Sequence, residues 1–97
     1  MERINHISIQ TFCQYHGIES KLVFTFQELG LVEIVEEEAE FFLEEKALTR
    51  MEQIVRLYKD FDLSPEGVEV VMGLLDKIEK LQEENFTLIR KLRKWEK

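Results

Sequence analysis

The sequence predicts a mainly α-helical protein in which a helix-turn-helix, a small two-stranded wing and a third helix precede one long C-terminal helix. Three observations predict this fold class. Apolar residues recur at helical spacing along most of the 97 residues. A glycine follows each of the first two helical segments, and a heptad repeat runs through the last one. We expect a winged helix-turn-helix domain with its third helix over residues 1–63, and a dimerisation helix over residues 64–97.

The first two predicted helices are short and are joined by a tight turn. After a strand or arm at residues 1–7, Ser8 is expected to cap a helix over Ile9–His16. Gly17 ends that helix in the left-handed conformation, and a second helix follows over residues 19–29. Two short helices joined by a glycine turn are typical of a helix-turn-helix. The expected inner faces consist of Ile9, Phe12, Cys13, Leu22, Phe26 and Leu29.

The wing is predicted from β-branched and aromatic residues that follow the second helix. Residues 31–35 are expected to form one strand, residues 36–40 the turn and residues 41–43 the returning strand. A two-stranded hairpin is marginally stable alone, so it should pack against the helices. A third helix is predicted over residues 44–61. Its apolar stripe consists of Leu48, Met51, Ile54, Val55, Tyr58 and Phe61.

The last predicted helix begins with Ser64 as N-cap and Pro65 as its first residue, and extends to about residue 95. A helix of about 30 residues is about 45 Å long, which is more than the rest of the domain can cover. We expect a dimer seam in which the polar Asn85 fixes the register, with packing against the chain's own domain as the alternative. The pattern favours neither a parallel nor an antiparallel dimer. The seam consists of Val71, Leu74, Ile78, Leu81, Asn85, Leu88, Leu92 and Trp95.

Charge is distributed unevenly along the chain. Residues 1–45 carry a net charge of −8 and residues 46–97 carry +1, within a total of −7. Such an acidic half repels phosphate and attracts basic protein surfaces. The acidic wing is interpreted either as a solvated face or as a docking patch for a basic helix. The candidate patch consists of Glu33, Glu36, Glu37, Glu38, Glu40, Glu44 and Glu45.

Phe24 is the candidate apolar contact beside this acidic patch. It lies off the inner face of the second helix, so partial exposure is expected. An exposed aromatic residue next to acidic ones is suited to binding a protein partner. A core position between the second helix and the wing is equally compatible with the pattern.

No pattern indicates a catalytic residue, a metal ligand set or a cofactor. His6 and His16 lack a neighbouring ligand pattern, and Cys13 lies on an apolar helix face. Phosphate-binding, dinucleotide-binding and nucleophile-elbow motifs are missing from the sequence. A single cysteine fits a reducing compartment, and no apolar run approaches the roughly 18 residues of a membrane span. We therefore expect a non-enzymatic cytoplasmic protein without a membrane partner.

Several short motifs follow one another along nearly the whole chain. The first are Phe12-Cys13 with Gly17-Ile18, and FTFQELGL from residue 24 continuing into Val32-Glu33. The later ones are residues 50–57, LSPEGV from residue 63, Met72, LLDKI from residue 74 and LQEEN from residue 81. In this order and spacing, the motifs resemble the chaperone-modulator family CbpM within the MerR-like winged-helix group.

This resemblance implies a function that the residues alone do not. Members of that family bind the J-domain of a DnaJ-like co-chaperone of the CbpA type and block its cooperation with the Hsp70 chaperone DnaK. J-domains present a basic helix to the acidic Hsp70 surface, so an acidic modulator can compete for that helix. No contact residue is carried over from the family, and the acidic patch is inferred from charge alone.

DNA binding is the alternative that the MerR-like group suggests. Affinity for DNA depends on lysine and arginine residues that neutralise phosphates, and the second helix offers only Lys21. Phe24 stands where DNA-reading relatives place an arginine before an aromatic pair, and the wing is acidic. We therefore expect no nucleic acid partner. A dimeric acidic adaptor with another protein partner is the remaining alternative.

Overall fold

The computed structural model describes residues 6–96. The mainly helical fold class with a long C-terminal helix is confirmed. The predicted arm contains one short strand, and its first five residues lie outside the described part of the chain. The elements in chain order are β1 (His6–Ser8), α1 (Ile9–His16), α2 (Ser20–Glu28), β2 (Val35–Glu37), β3 (Glu40–Glu44), α3 (Glu45–Asp60) and α4 (Pro65–Lys94).

The helix ends follow the local chemistry of the sequence. The Ser8 hydroxyl accepts a hydrogen bond from the backbone N–H of Thr11 at 3.0 Å, and α1 begins at the next residue. Gly17 ends α1 with φ 67°, a left-handed conformation in which glycine has no Cβ penalty. Ser64 caps α4 with the predicted Pro65 at its first turn. These predicted boundaries are confirmed.

The sheet has three antiparallel strands in the order β1-β3-β2, one strand more than the predicted two-stranded wing. The strand β1 pairs with β3, with Ile7 opposite Leu43, and β2 pairs with β3 on its other edge. Adding β1 ties the β2–β3 hairpin to the start of α1. This explains how a hairpin that is marginal alone is held in place.

The predicted strand over residues 31–35 is wrong for most of its length. Leu31 and Val32 are buried, but they belong to an irregular segment, and β2 begins only at Val35. The backbone N–H of Leu31 donates to the Phe26 carbonyl at 3.0 Å, and the Leu31 carbonyl accepts a hydrogen bond from the Arg50 guanidinium. Because the C-terminal turn of α2 occupies the Leu31 N–H and Arg50 occupies its carbonyl, Leu31 is not available to a strand ladder.

The core lies where α1, α2, α3, β3 and the first turns of α4 meet. Its largest fully buried side chains are Phe12, Phe26, Leu43, Met51, Ile54 and Met72. On α2 the buried residues are Val23 and Phe26, whereas the predicted Leu22 and Leu29 are only half-buried. On α3 the predicted stripe is confirmed except at Phe61, which follows the end of the helix and is exposed.

The long helix α4 is attached to the domain only through its first three turns. Val68 and Met72 are buried against the core, and Leu75 packs partly against it. Asp76 accepts two hydrogen bonds from the Arg50 guanidinium of α3, at 3.3 and 3.1 Å. Beyond Asp76 every described residue of the helix is exposed. The molecule is therefore elongated, with extents of 58 × 39 × 21 Å.

Candidate partner-binding surfaces

An aromatic pair connects the helix-turn-helix to the wing. The Phe24 ring on α2 meets the Phe41 ring on β3 edge to face, with centroids 5.1 Å apart and an interplanar angle of 84°. Phe24 is half-buried and packs against the core, while Phe41 is 39% exposed. The Phe24 ring is therefore partly core and partly accessible, so the packing role is confirmed and the partner contact stays a prediction.

A shallow groove of 220 Å³ runs along this aromatic pair. It is bounded by the first turns of α1 and α2 and by the hairpin tip at Ala39 and Glu40. The tip residues Glu38 and Ala39 adopt φ values of 50° and 66°, which L residues rarely adopt. The turn is thus two residues long and tight, and the residues that follow it, Glu40 and Phe41, line the groove. We call this surface the wing groove.

The predicted acidic patch is divided between the two faces of the sheet. Leu43 is buried, and Phe41 lies on the same face because strand side chains alternate with a period of two. Glu36 is the register partner of Phe41 and shares that face. Glu37 and Glu40 oppose each other on the other face. One carboxylate thus lies beside the aromatic pair, and two lie on the outer face.

The other glutamates of the patch lie at different places. Glu33 is in the irregular segment before β2 and lines a groove of 630 Å³ that Lys46 and Glu79 also line. Glu44 ends β3, and Glu45 opens α3, where the helix dipole favours a negative charge. Among the described residues no cation pairs with Glu36, Glu38 or Glu40. Their charges are therefore available to a partner.

The predicted seam of α4 is exposed from Leu74 onwards. Leu81 is 61% exposed, Leu92 65% and Trp95 84%, while Val71 at the start of the seam is half-buried. The alternative in which the helix packs back on its own domain therefore fails for this part of the seam. Phe86 and Ile89 widen the apolar surface at the distal end, although they lie outside the heptad positions.

Phe41 lines the wing groove but was not among the candidate residues predicted from the sequence, where it was only part of the returning strand. The available signal was the alternation of Phe41 with Leu43, which places both side chains on the face that meets the helices. What the sequence could not supply was the distance from β3 to α2, and that distance makes Phe41 the neighbour of Phe24.

Two titratable residues of α1, Cys13 and His16, contact the interior of the domain. Cys13 is buried, as predicted, and burial raises the pKa of its thiol, an effect that a hydrogen bond with the Ser20 side chain partly offsets. His16 lies at the C-terminal end of α1 with its ring 4.2 Å from that of Phe12. No group of three histidine, cysteine or acidic side chains within residues 6–96 could hold a metal ion. No helix in the same residues is long and apolar enough to cross a membrane.

Fold and sequence together define the class of this protein. A family model described as MerR HTH family regulatory protein matches residues 7–93, and the chain belongs to that family. It is similar to the chaperone modulatory protein CbpM of Pseudomonas entomophila, with 27% identity over 90 residues that cover 92% of this chain and 89% of the relative. Proteins of the same name from Salmonella paratyphi B and Salmonella enteritidis are 27% identical over 86 residues, or 88% of this chain and 85% of theirs.

The resemblance to the CbpM family is thereby confirmed. The names of these relatives describe chaperone modulators, and the name of the matching family describes a regulatory protein. Neither name describes an enzyme.

Proposed function

We propose that this chain is a non-catalytic modulator of a DnaJ-like co-chaperone of the CbpA type, and that it acts in the cytoplasm. It binds the J-domain of that co-chaperone and blocks its cooperation with the Hsp70 chaperone DnaK. The observation that carries the proposal is the wing groove, which places an accessible aromatic pair beside the acidic wing in a chain similar to proteins named chaperone modulators.

The chemistry of the wing groove suits a basic amphipathic helix. Phe24 and Phe41 offer an apolar contact that a partner can desolvate, and buried aromatic contacts contribute much of the binding energy in protein interfaces. Glu36, the register partner of Phe41, and Glu40, which lines the groove, offer negative charge, and complementary charge mainly raises the rate of encounter and selects the partner. A J-domain presents a basic helix, so occupation of that helix by this surface competes with the acidic surface of Hsp70.

The second part of the proposal is a homodimer formed through α4. A row of large apolar side chains that is 50–84% exposed along a helix needs a partner, because soluble monomers rarely expose contiguous apolar patches of this kind. A second copy supplies the same row, and the heptad spacing suits two helices that pack knobs into holes. The dimer then presents two wing grooves.

The test is a calorimetric titration of the full chain with the J-domain of the DnaJ-like protein from the same organism, at two salt concentrations. We expect micromolar or tighter binding that weakens as salt rises, because salt screens exposed charges. Phe24→Ala should weaken binding at least about tenfold, the loss typical of a truncated aromatic contact. A chaperone assay with the co-chaperone and DnaK should show inhibition that this variant relieves.

A matched control distinguishes an effect of the wing carboxylates from an effect of the total negative charge of the chain. Glu36→Gln, Glu38→Gln and Glu40→Gln together remove three carboxylates from the wing. Equivalent exposed carboxylates elsewhere are removed by a control variant consisting of Glu52→Gln, Glu69→Gln and Glu83→Gln. In the calorimetric titration, only the wing variant should weaken binding of the J-domain and reduce its dependence on salt. Equal effects would refute the wing groove, and absence of binding would refute the J-domain partner and favour an adaptor for another protein.

DNA binding is kept as a second candidate because the chain belongs to a family of helix-turn-helix regulators. The charges of the fold oppose it, since Lys21 is the only basic residue of α2 and the wing is acidic. A gel-shift titration with labelled duplex at low salt should show no specific complex. A complex that Lys21→Glu abolishes would overturn the proposed modulator function in favour of a transcriptional regulator.

A further inference from the structure

A second groove lies between α2 and the C-terminal end of α3, with the α1–α2 turn along one side. Its volume is 420 Å³, within the range of small-molecule sites. The apolar walls come from Ile18, Leu22 and Tyr58, which are half-buried and pack against the core. The Tyr58 ring is oriented by an edge-to-face contact with Phe26, with centroids 6.1 Å apart. The groove therefore has firm apolar walls that no other part of the described chain covers.

Two ammonium groups stand at this groove within an otherwise acidic region. Lys21 and Lys59 both line it, and Lys21 is the only lysine or arginine in residues 6–45. The Lys59 ammonium donates one hydrogen bond to the His16 carbonyl at 2.7 Å, which leaves two of its three donors free. Lys21 has no ion pair among the described residues. Glu19 also lines the groove and offsets part of this positive charge.

We propose that this groove binds a small anionic amphiphile, namely a monocarboxylate carried on a short apolar chain. The apolar part lies against Leu22 and Tyr58, and the carboxylate pairs with Lys21 and the free donors of Lys59. The site shares no lining residue with the wing groove, and it carries lysines where the wing carries carboxylates. The inference is therefore independent of the proposed J-domain function.

The probe is octanoate, titrated into the full-length chain and followed by amide chemical shifts in two-dimensional NMR. We expect saturable shifts at Gly17, Leu22 and Tyr58. Octylammonium, which has the same chain and the opposite charge, should bind more weakly at these amides because Lys21 and Lys59 repel it. Residue-resolved shifts are needed because α4 exposes apolar residues that any amphiphile could contact.

The variants test the charges separately from the fold. Lys21→Gln should weaken octanoate roughly two- to fivefold, the effect of removing one exposed charge pair. Lys59→Arg, which keeps a positive charge and donors, should retain binding, whereas Lys59→Gln should weaken it. Lys46→Gln is the matched control, since it removes a lysine from a different groove and should have no effect.

Three results would overturn the proposal. The first is equal affinity for octanoate and octylammonium at the amides of the groove. The second is a set of shifts confined to α4, which would indicate nonspecific contact with the exposed stripe. The third is an equal effect of Lys21→Gln and Lys46→Gln, which would show that only net charge matters.

Discussion

Gly17 shows at the scale of one residue how a local requirement shapes the fold. Its φ of 67° reverses the chain between α1 and α2, and its backbone N–H bonds the Cys13 carbonyl. A Cβ at this position would lie 3.6 Å from the Lys59 ammonium, an ordinary contact. The need for glycine is therefore conformational, since L residues are disfavoured in the left-handed region whatever the space around them.

We predict that Gly17→Ala lowers the free energy of unfolding by about 1 kcal/mol, the cost of a left-handed L residue. Gly73→Ala is the matched control. Gly73 lies in the interior of α4 with open space around it, so alanine should raise the free energy of unfolding by about 0.5–1 kcal/mol. Urea denaturation of both variants measures the difference. Equal losses in both would contradict the conformational argument.

The Arg50 side chain connects α3 with two other parts of the chain, the segment before β2 and α4. Its guanidinium donates to the Leu31 carbonyl before β2 and to both carboxylate oxygens of Asp76 on α4, while its backbone belongs to α3. The pair with Asp76 is partly exposed, so its charge attraction contributes little by itself. The contribution of Arg50 is geometric, because its planar guanidinium bonds Asp76 of α4 and the segment before β2 at the same time.

We predict that Arg50→Lys lowers the free energy of unfolding by about 1–2 kcal/mol, because an ammonium cannot reproduce the planar fork and the bond to the Leu31 carbonyl together. Arg56→Lys, at an exposed position of the same helix, should change it by less than about 0.5 kcal/mol. Thermal denaturation compares the two. If both variants behave alike, Arg50 does not hold α4 through these bonds.

At the scale of elements, α4 divides into two parts with different surroundings. The first part, through Leu75 and Asp76, packs against α3 and the core, and the remainder projects beyond the domain. Its exposed seam is continuous with the packed part, so the same helix can join the domain to a second copy. In the proposed dimer, the orientation of α4 relative to the domain would determine where the two wings lie.

We predict that Leu81→Asp with Leu88→Asp yields monomers, because two charges in the seam would be buried without partners. Light scattering measures the mass. The control is Lys80→Gln with Thr87→Asp, which changes the net charge by the same amount at the same seven-residue spacing, one position away from the seam. That variant should keep the dimer mass. A dimer that survives the first change would place its interface elsewhere.

At the scale of the whole molecule, the net negative charge lies in the first 45 residues, whereas residues 46–97 are almost balanced. The wing and the region before it are acidic, while the last turn of α4 carries Lys91, Arg93 and Lys94. The end of α4 is suited to positive charge because the helix dipole is negative there. The acidic wing also carries one ring of the aromatic pair of the wing groove, so negative charge and an apolar contact lie close together there.

Stability of the whole molecule should depend on its concentration. If folding is coupled to dimerisation, mass action raises Tm as protein concentration rises. We predict such a rise over a hundredfold change in concentration, measured by scanning calorimetry. The variant Leu81→Asp with Leu88→Asp should show a constant Tm. A constant Tm in the unchanged chain would contradict a dimer that stabilises the fold.

Local rules were enough to predict the helix boundaries. Ser8, Gly17 and Ser64 act through backbone groups within three or four residues, so their effect can be read without knowledge of the tertiary structure. The heptad pattern likewise predicted that α4 would extend beyond the rest of the domain, because helix length and apolar spacing can be read from the sequence alone.

Tertiary contacts determined the rest. Residues 31–34 have β propensity but form no strand, and at Leu31 the carbonyl is taken by the Arg50 side chain, which is distant in sequence. The pairing of β1 with β3 joins residues distant in sequence, which no local pattern specifies. The division of the acidic patch follows from strand register, and the pairing of Phe24 with Phe41 follows from the packing of β3 on α2. Composition determined that the chain is acidic, but only packing determined which carboxylates lie beside an apolar contact.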